Sequence, residues 1–142
     1  MFACLLFGDS LALGAGAAVN THLAHPCDVR AATGAGSRAM ARWVLPPRRY
    51  DTAILSLGSN DDLGETTAAT RRAVVSAAMA SVRTKMPSAR VIWLLPYDRT
   101  RAYIVRSVAA TFGDEVLDLT RFPSRDRLHP SDYGALARAL LR

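Results

Sequence analysis

The chain has 142 residues, half of them hydrophobic and about a fifth charged, a balance that suits a folded domain and excludes a disordered or fibrous chain. Its net charge is +6, and seventeen of the eighteen basic residues are arginines. They are scattered over different predicted elements with no aromatic residues interleaved, so a solvated basic surface is expected rather than a nucleic-acid interface.

Phe2 to Phe7 is an uninterrupted apolar run ending at Gly8-Asp9-Ser10, the pattern of a strand covered on both faces that stops in a polar turn. In parallel sheets reacting groups gather beyond such strand ends. Ser10 is therefore a candidate nucleophile, although serine after Gly-Asp is also an ordinary helix N-cap. Leu11 to His25 reads as a helix ended by Pro26, and Cys27 to Ala32 as a second strand. Gly34-Ala35-Gly36-Ser37 makes the next turn, before a short helix over Arg38 to Val44 and a break at Pro46-Pro47.

Asp51 to Leu57 is a third strand running into Gly58-Ser59-Asn60-Asp61-Asp62. Thr66 to Met86 has the 3.6-residue apolar period of a long helix, stopped by Pro87. Arg90 to Leu95 is a fourth strand, Arg101 to Phe112 a helix closed by Gly113, and Glu115 to Leu119 a fifth strand. Thr120 to Pro130 is polar loop, and Ser131 is expected to cap a last helix through Leu141. This alternation predicts one domain over 1–142, an α/β/α sandwich around a parallel sheet with right-handed crossovers. The turns at 8–10, 34–37, 58–62 and 120–130 then share one sheet edge.

Each turn carries a group that nucleophilic catalysis uses. Asp126-Arg127-Leu128-His129 sets a carboxylate three residues before an imidazole, so that one ring nitrogen can bond the carboxylate while the other faces a serine. Asn60 offers a side-chain amide to a developing oxyanion, and Gly34 and Gly36 expose backbone N–H groups. Asp9 and Asp61 are read as bracing their turns.

Gly8-Asp9-Ser10, a glycine in the second turn, Gly58-Ser59-Asn60-Asp61 and Asp126-x-x-His129-Pro130 resemble, in this order, the sequence blocks of the GDSL or SGNH hydrolases. The resemblance covers residues 8 to about 134. It implies a flavodoxin-like sheet of order 2-1-3-4-5 and hydrolysis of esters or thioesters without metal or organic cofactor. It also implies Ser10 as nucleophile, His129 as base and Asp126 as its orienting partner, with the Ser10 N–H, the Gly36 N–H and the Asn60 side chain as oxyanion hole. Gly34 is the alternative to Gly36, and Ala31-Ala32-Thr33 stands where the family often has an asparagine.

The expected substrate is a small-molecule or carbohydrate ester. Short loops after the third and fourth strands favour an open site and short acyl groups. Acyl transfer to a sugar or alcohol is a variant on the same site. A nucleotide-binding module, suggested by Gly14-Ala15-Gly16 and the positive charge, lacks a full G-x-G-x-x-G and a P-loop lysine.

Cys4 and Cys27 are too few for a disulfide framework and lack metal-ligand spacing, so both are read as buried thiols near adjacent strands. No Lys or Arg precedes the first apolar run and Asp9 interrupts it. A secretory signal and a membrane span are therefore not expected, and the location is read as cytoplasmic.

Overall fold

A computed structural model describes residues 3–64, 68–86 and 88–142. Five strands form one parallel sheet: β1 (Cys4–Gly8), β2 (Asp28–Ala31), β3 (Tyr50–Ser56), β4 (Ser88–Leu95) and β5 (Glu115–Asp118). Their order is β2-β1-β3-β4-β5, as expected. Between them run α1 (Ser10–Asn20), α2 (Ser37–Met40), α3 (Ala68–Thr84) and α4 (Arg99–Phe112), with α5 (Tyr133–Leu140) last. The expected start of the third helix at Thr66 and its stop at Pro87 lie outside the described residues.

The central strands β1, β3 and β4 are largely apolar because their side chains alternate between two covered faces, whereas the edge strands β2 (Asp-Val-Arg-Ala) and β5 (Glu-Val-Leu-Asp) carry charged residues. Leu5 and Phe7 of β1, Ala53 and Leu55 of β3, and Val91, Trp93 and Leu95 of β4 join one core with α2, α3 and α4. Cys4, Leu6, Ile54, Ile92 and Leu94 join the other, with α1 and α5. Trp93, Phe7, Leu5 and Leu6 are among the largest fully buried side chains, each worth about 2–3 kcal/mol on burial. The Trp93 indole N–H donates to Asp114, whose carboxylate also takes a bidentate bond from Arg83 at 2.6 and 3.0 Å. The end of α3 is thereby tied to the turn before β5.

Three sequence expectations are corrected. Cys4 and Cys27 are not thiols: they form a disulfide, with Cα atoms 4.7 Å apart. The register Leu5↔Asp28 brings the preceding residues of β1 and β2 side by side. Closing this 23-residue separation restricts the unfolded chain and is worth on the order of 3 kcal/mol. Such bonds persist in oxidising compartments, which counts against the cytoplasmic reading.

The first helix ends at Asn20 rather than His25, because the Asn20 amide turns to bracket Cys27, accepting from its N–H at 2.8 Å and donating to its carbonyl at 3.2 Å. The cap of α5 is Asp132, whose side chain accepts from the Ala135 N–H, and not Ser131. A carboxylate one residue closer to the helix takes the free donor. Gly113 closes α4 in the left-handed conformation, as expected.

Candidate active site

The carboxyl edge of the sheet is built around Gly8. Its φ is +149°, and a Cβ there would lie 2.1 Å from the Ser56 carbonyl oxygen, so only glycine lets β1 end flush against β3. The chain then turns at once. Asp9 caps α1 by accepting from the Leu11 N–H at 3.0 Å, and the same oxygen accepts from the Ser56 hydroxyl at 2.8 Å. Ser10 becomes the first residue of α1, with its side chain half-buried at the edge.

Ser10 Oγ lies 2.9 Å from His129 Nε2, and His129 Nδ1 lies 2.8 Å from Asp126 Oδ2. The loop that delivers His129 is held by its own side chains. Asp126 Oδ1 accepts from the backbone N–H groups of Leu128 and His129 at 2.9 and 2.8 Å. Ser124 Oγ accepts from the Arg127 N–H and donates to the His129 carbonyl at 2.6 Å. The hydrogen bond from the His129 ring, followed by those from the His129 and Leu128 backbone, holds the Asp126 carboxyl well below the usual carboxylate range. Asp126 is thus an anion that fixes the ring's orientation.

Beside Ser10 the β2–α2 and β3–α3 turns meet. The Asn60 side chain donates to the Ala35 carbonyl at 3.2 Å. Asp61 accepts from the Ser37 N–H at 2.7 Å and from the Ser37 hydroxyl at 2.5 Å. Gly36 caps α2, and a Cβ on it would come within 3.0 Å of Asp61 Oδ1. Gly34 faces open space in a left-handed turn, φ +77°. Of the two glycines, Gly36 therefore adjoins Asn60, and Gly34 shapes the turn. Among the described residues neither the Ser10 N–H nor the Gly36 N–H donates to a protein acceptor.

Sequence reasoning missed the supporting contacts. Ser56 carried no signal beyond its place at a strand end, and Ser124 none at all. Tyr133 also sits at this edge, stacked where a Cβ on Gly14 would be 2.4 Å from its ring. Gly14 and Gly16 lie within α1 and admit Tyr133 and Val29 respectively. They pack a helix, which removes the glycines, though not the positive charge, as a motive for the nucleotide-binding reading. Among the described residues no group of three His, Cys, Asp or Glu is gathered to hold a metal ion. A largely apolar hollow of about 230 Å³, lined by Val19, Leu23, Ile54 and Leu140 among others, lies at the opposite end of the sheet from Ser10.

Asp9 is fully buried, and its second oxygen has no hydrogen-bond partner among the described residues. Burial pushes its carboxyl up to about 6, against the bonds from Ser56 and Leu11 that pull it down. A folded-state pKa raised above the ordinary 3.8 means that stability from this group is full below about pH 4 and is lost as pH rises through about 6. Over that window wild type is expected to lose about 3 kcal/mol relative to Asp9→Asn. Urea titrations of both proteins at intervals across it provide the check. Parallel stability curves would mean that Asp9 ionises as an ordinary carboxyl.

No protein-family model matches the chain, nor does any curated protein sequence. Solved structures do. An inhibitor-bound aryl esterase from M. smegmatis aligns over 99% of both chains with a TM-score of 0.65 and 15% identity. A lipolytic protein of the G-D-S-L family from Veillonella parvula aligns over 99% of this chain and 95% of its own, with a TM-score of 0.58 and 20% identity. The C-terminal catalytic domain of a Streptococcus pneumoniae peptidoglycan O-acetyltransferase aligns over 96% and 87%, with a TM-score of 0.58 and 18% identity. The protein thus has the three-layer α/β fold of the GDSL hydrolases, the family that its sequence blocks resemble.

Proposed function

We propose that this chain is a serine ester hydrolase of the GDSL/SGNH type, acting on short-chain acyl or O-acetyl esters. The observation that carries the reading is the continuous hydrogen-bonded series Ser10, His129, Asp126, at 2.9 and 2.8 Å. A serine hydroxyl is a weak nucleophile until a base takes its proton, and an imidazole does so only when correctly oriented. His129 Nε2 accepts the proton as Ser10 Oγ attacks the acyl carbonyl, and Asp126 stabilises the resulting imidazolium. The N–H groups of Ser10 and Gly36 and the Asn60 amide bind the oxyanion. His129 then protonates the leaving alcohol, and the same base activates water to release the acyl group.

The exposed carboxylate of Asp126 and the half-exposed His129 lie in a shallow site, which favours short acyl chains. Full burial would contribute about 0.8 kcal/mol per CH₂, nearly fourfold in affinity per carbon, and an open groove realises only a fraction of it. For p-nitrophenyl esters kcat/KM is expected to peak between acetate and butyrate and to fall by octanoate. A steady rise through dodecanoate would overturn the short-chain reading. Absence of Ser10-dependent turnover across the whole series would overturn the hydrolase reading itself. The same acyl-enzyme could pass its acyl group to an alcohol, and product analysis with added sugar acceptors separates transfer from hydrolysis.

A further inference from the structure

Two clefts flank the loop that carries Asp126 and His129, and each contains one arginine that forms no ion pair among the described residues. The first, about 310 Å³, is lined by Tyr97, Asp98, Arg99, Thr100 and Arg127. Its other charges are already used. Asp98 accepts from the Arg101 backbone and guanidinium at 3.0 and 3.1 Å, and Arg99 makes a bidentate bond to Asp118 at 2.9 and 3.0 Å. The second cleft, about 250 Å³, is lined by Arg125, Asp126, His129, Pro130 and Ser131. Here the one carboxylate belongs to His129. Among the described residues neither Arg125 nor Arg127 forms an ion pair, whereas Arg71, Arg99 and Arg101 at the same sheet edge all do.

Arg127 is also the one described non-glycine residue with positive φ, at +59°. Glycine or asparagine would adopt that conformation more easily. The turn is imposed by the hydrogen bonds of Ser124 and Asp126 that position His129. The backbone positions of Arg125 and Arg127 are therefore held in fixed relation to His129, one on either side of Asp126 in the chain. A guanidinium presents a planar fork matched to a carboxylate.

We propose that Arg125 and Arg127 form an anion-recognising rim, so that the preferred substrates are esters bearing a carboxylate near the scissile bond. This rests on the ester-hydrolase reading and specifies its substrate class. Arg121 lines neither cleft and has no part in it.

The test uses two ester pairs that differ in one charge: 4-acetoxybenzoate against 4-acetoxybenzamide, and 4-nitrophenyl hydrogen glutarate against 4-nitrophenyl pentanoate. Each rate is divided by that of alkaline hydrolysis. The anionic member is expected to be favoured about tenfold in kcat/KM in at least one pair, mainly through KM, equivalent to about 1.4 kcal/mol. The preference should shrink several-fold between about 0.02 M and about 0.5 M salt, where screening lengths fall well below the cleft dimensions. In Arg125→Gln/Arg127→Gln the ratio should fall to about one, and Arg127→Lys should retain part of it. Should the double variant not fold, as judged by circular dichroism, the single variants and the salt dependence of the wild type decide. Hydrolysis of all four esters without preference for charge, or a preference that survives both substitutions and salt, would overturn the anionic rim while leaving the hydrolase reading intact. Hydrolysis of none of them above a Ser10→Ala blank would sink the hydrolase reading and the rim with it.

Discussion

Replacing Ser10 by alanine is expected to lower ester turnover by about a millionfold, the scale seen when a serine hydrolase loses its nucleophile. The fold should survive. The Ser10 hydroxyl makes one polar contact, to His129, and the turn around it is held by other atoms: the Asp9 carboxylate, the Leu11 N–H and the Ser56 hydroxyl. An alanine at the first position of α1 disturbs none of these and has high helix propensity. The measurement is kcat on p-nitrophenyl acetate beside far-ultraviolet circular dichroism. Unchanged turnover in a folded variant would remove Ser10 from the mechanism. Treating wild type with a sulfonyl fluoride gives an independent reading, since the expected adduct maps to the peptide containing Ser10.

Asp126→Asn is expected to cost about 10⁴-fold in kcat, and His129→Ala more. The amide can keep accepting from the Leu128 and His129 backbone groups through one atom, so the loop holds its shape. What it loses is the anion facing Nδ1 and the preference for the tautomer that leaves Nε2 free to accept from Ser10. Because the two residues act as one unit, Asp126→Asn/His129→Ala should be no slower than His129→Ala alone. Additive losses would mean that Asp126 works independently of the ring. Small losses for both would point to a different base.

Much of the architecture was legible because parallel strands buried on both faces must be apolar along their length. The runs ending at Phe7, Leu57 and Leu95 therefore stood out without any homologous sequence. The juxtaposition of Ser10 with Asp126 and His129 was legible through a different signal, the order of short polar blocks after successive strands. What could not be read depends on register and on contacts between distant turns. The Cys4–Cys27 bond follows from pairing Leu5 with Asp28, a one-residue matter that composition does not encode. Ser56 under Asp9 and Ser37 under Asp61 are small polar residues at the ends of elements, where serine is common for many reasons. The length of α1 was misjudged because an alanine-rich segment gives no sign that the helix will end at Asn20, whose side-chain amide holds Cys27.

The hydrogen bond between Ser10 and His129 joins residues 119 positions apart, and this has a consequence for when activity first exists. Ser10, Gly36 and Asn60 belong to the first three β-α turns, but His129, the base in the proposed mechanism, arrives only with the loop after β5. During synthesis the proposed nucleophile and oxyanion donors emerge long before the imidazole, so under the proposed mechanism the growing chain carries an unarmed site until the last strand has paired with β4. Esterase activity in a translating or refolding sample would therefore report docking of the final β-α unit, an event that helix content, already present in α1 and α3, would register too early.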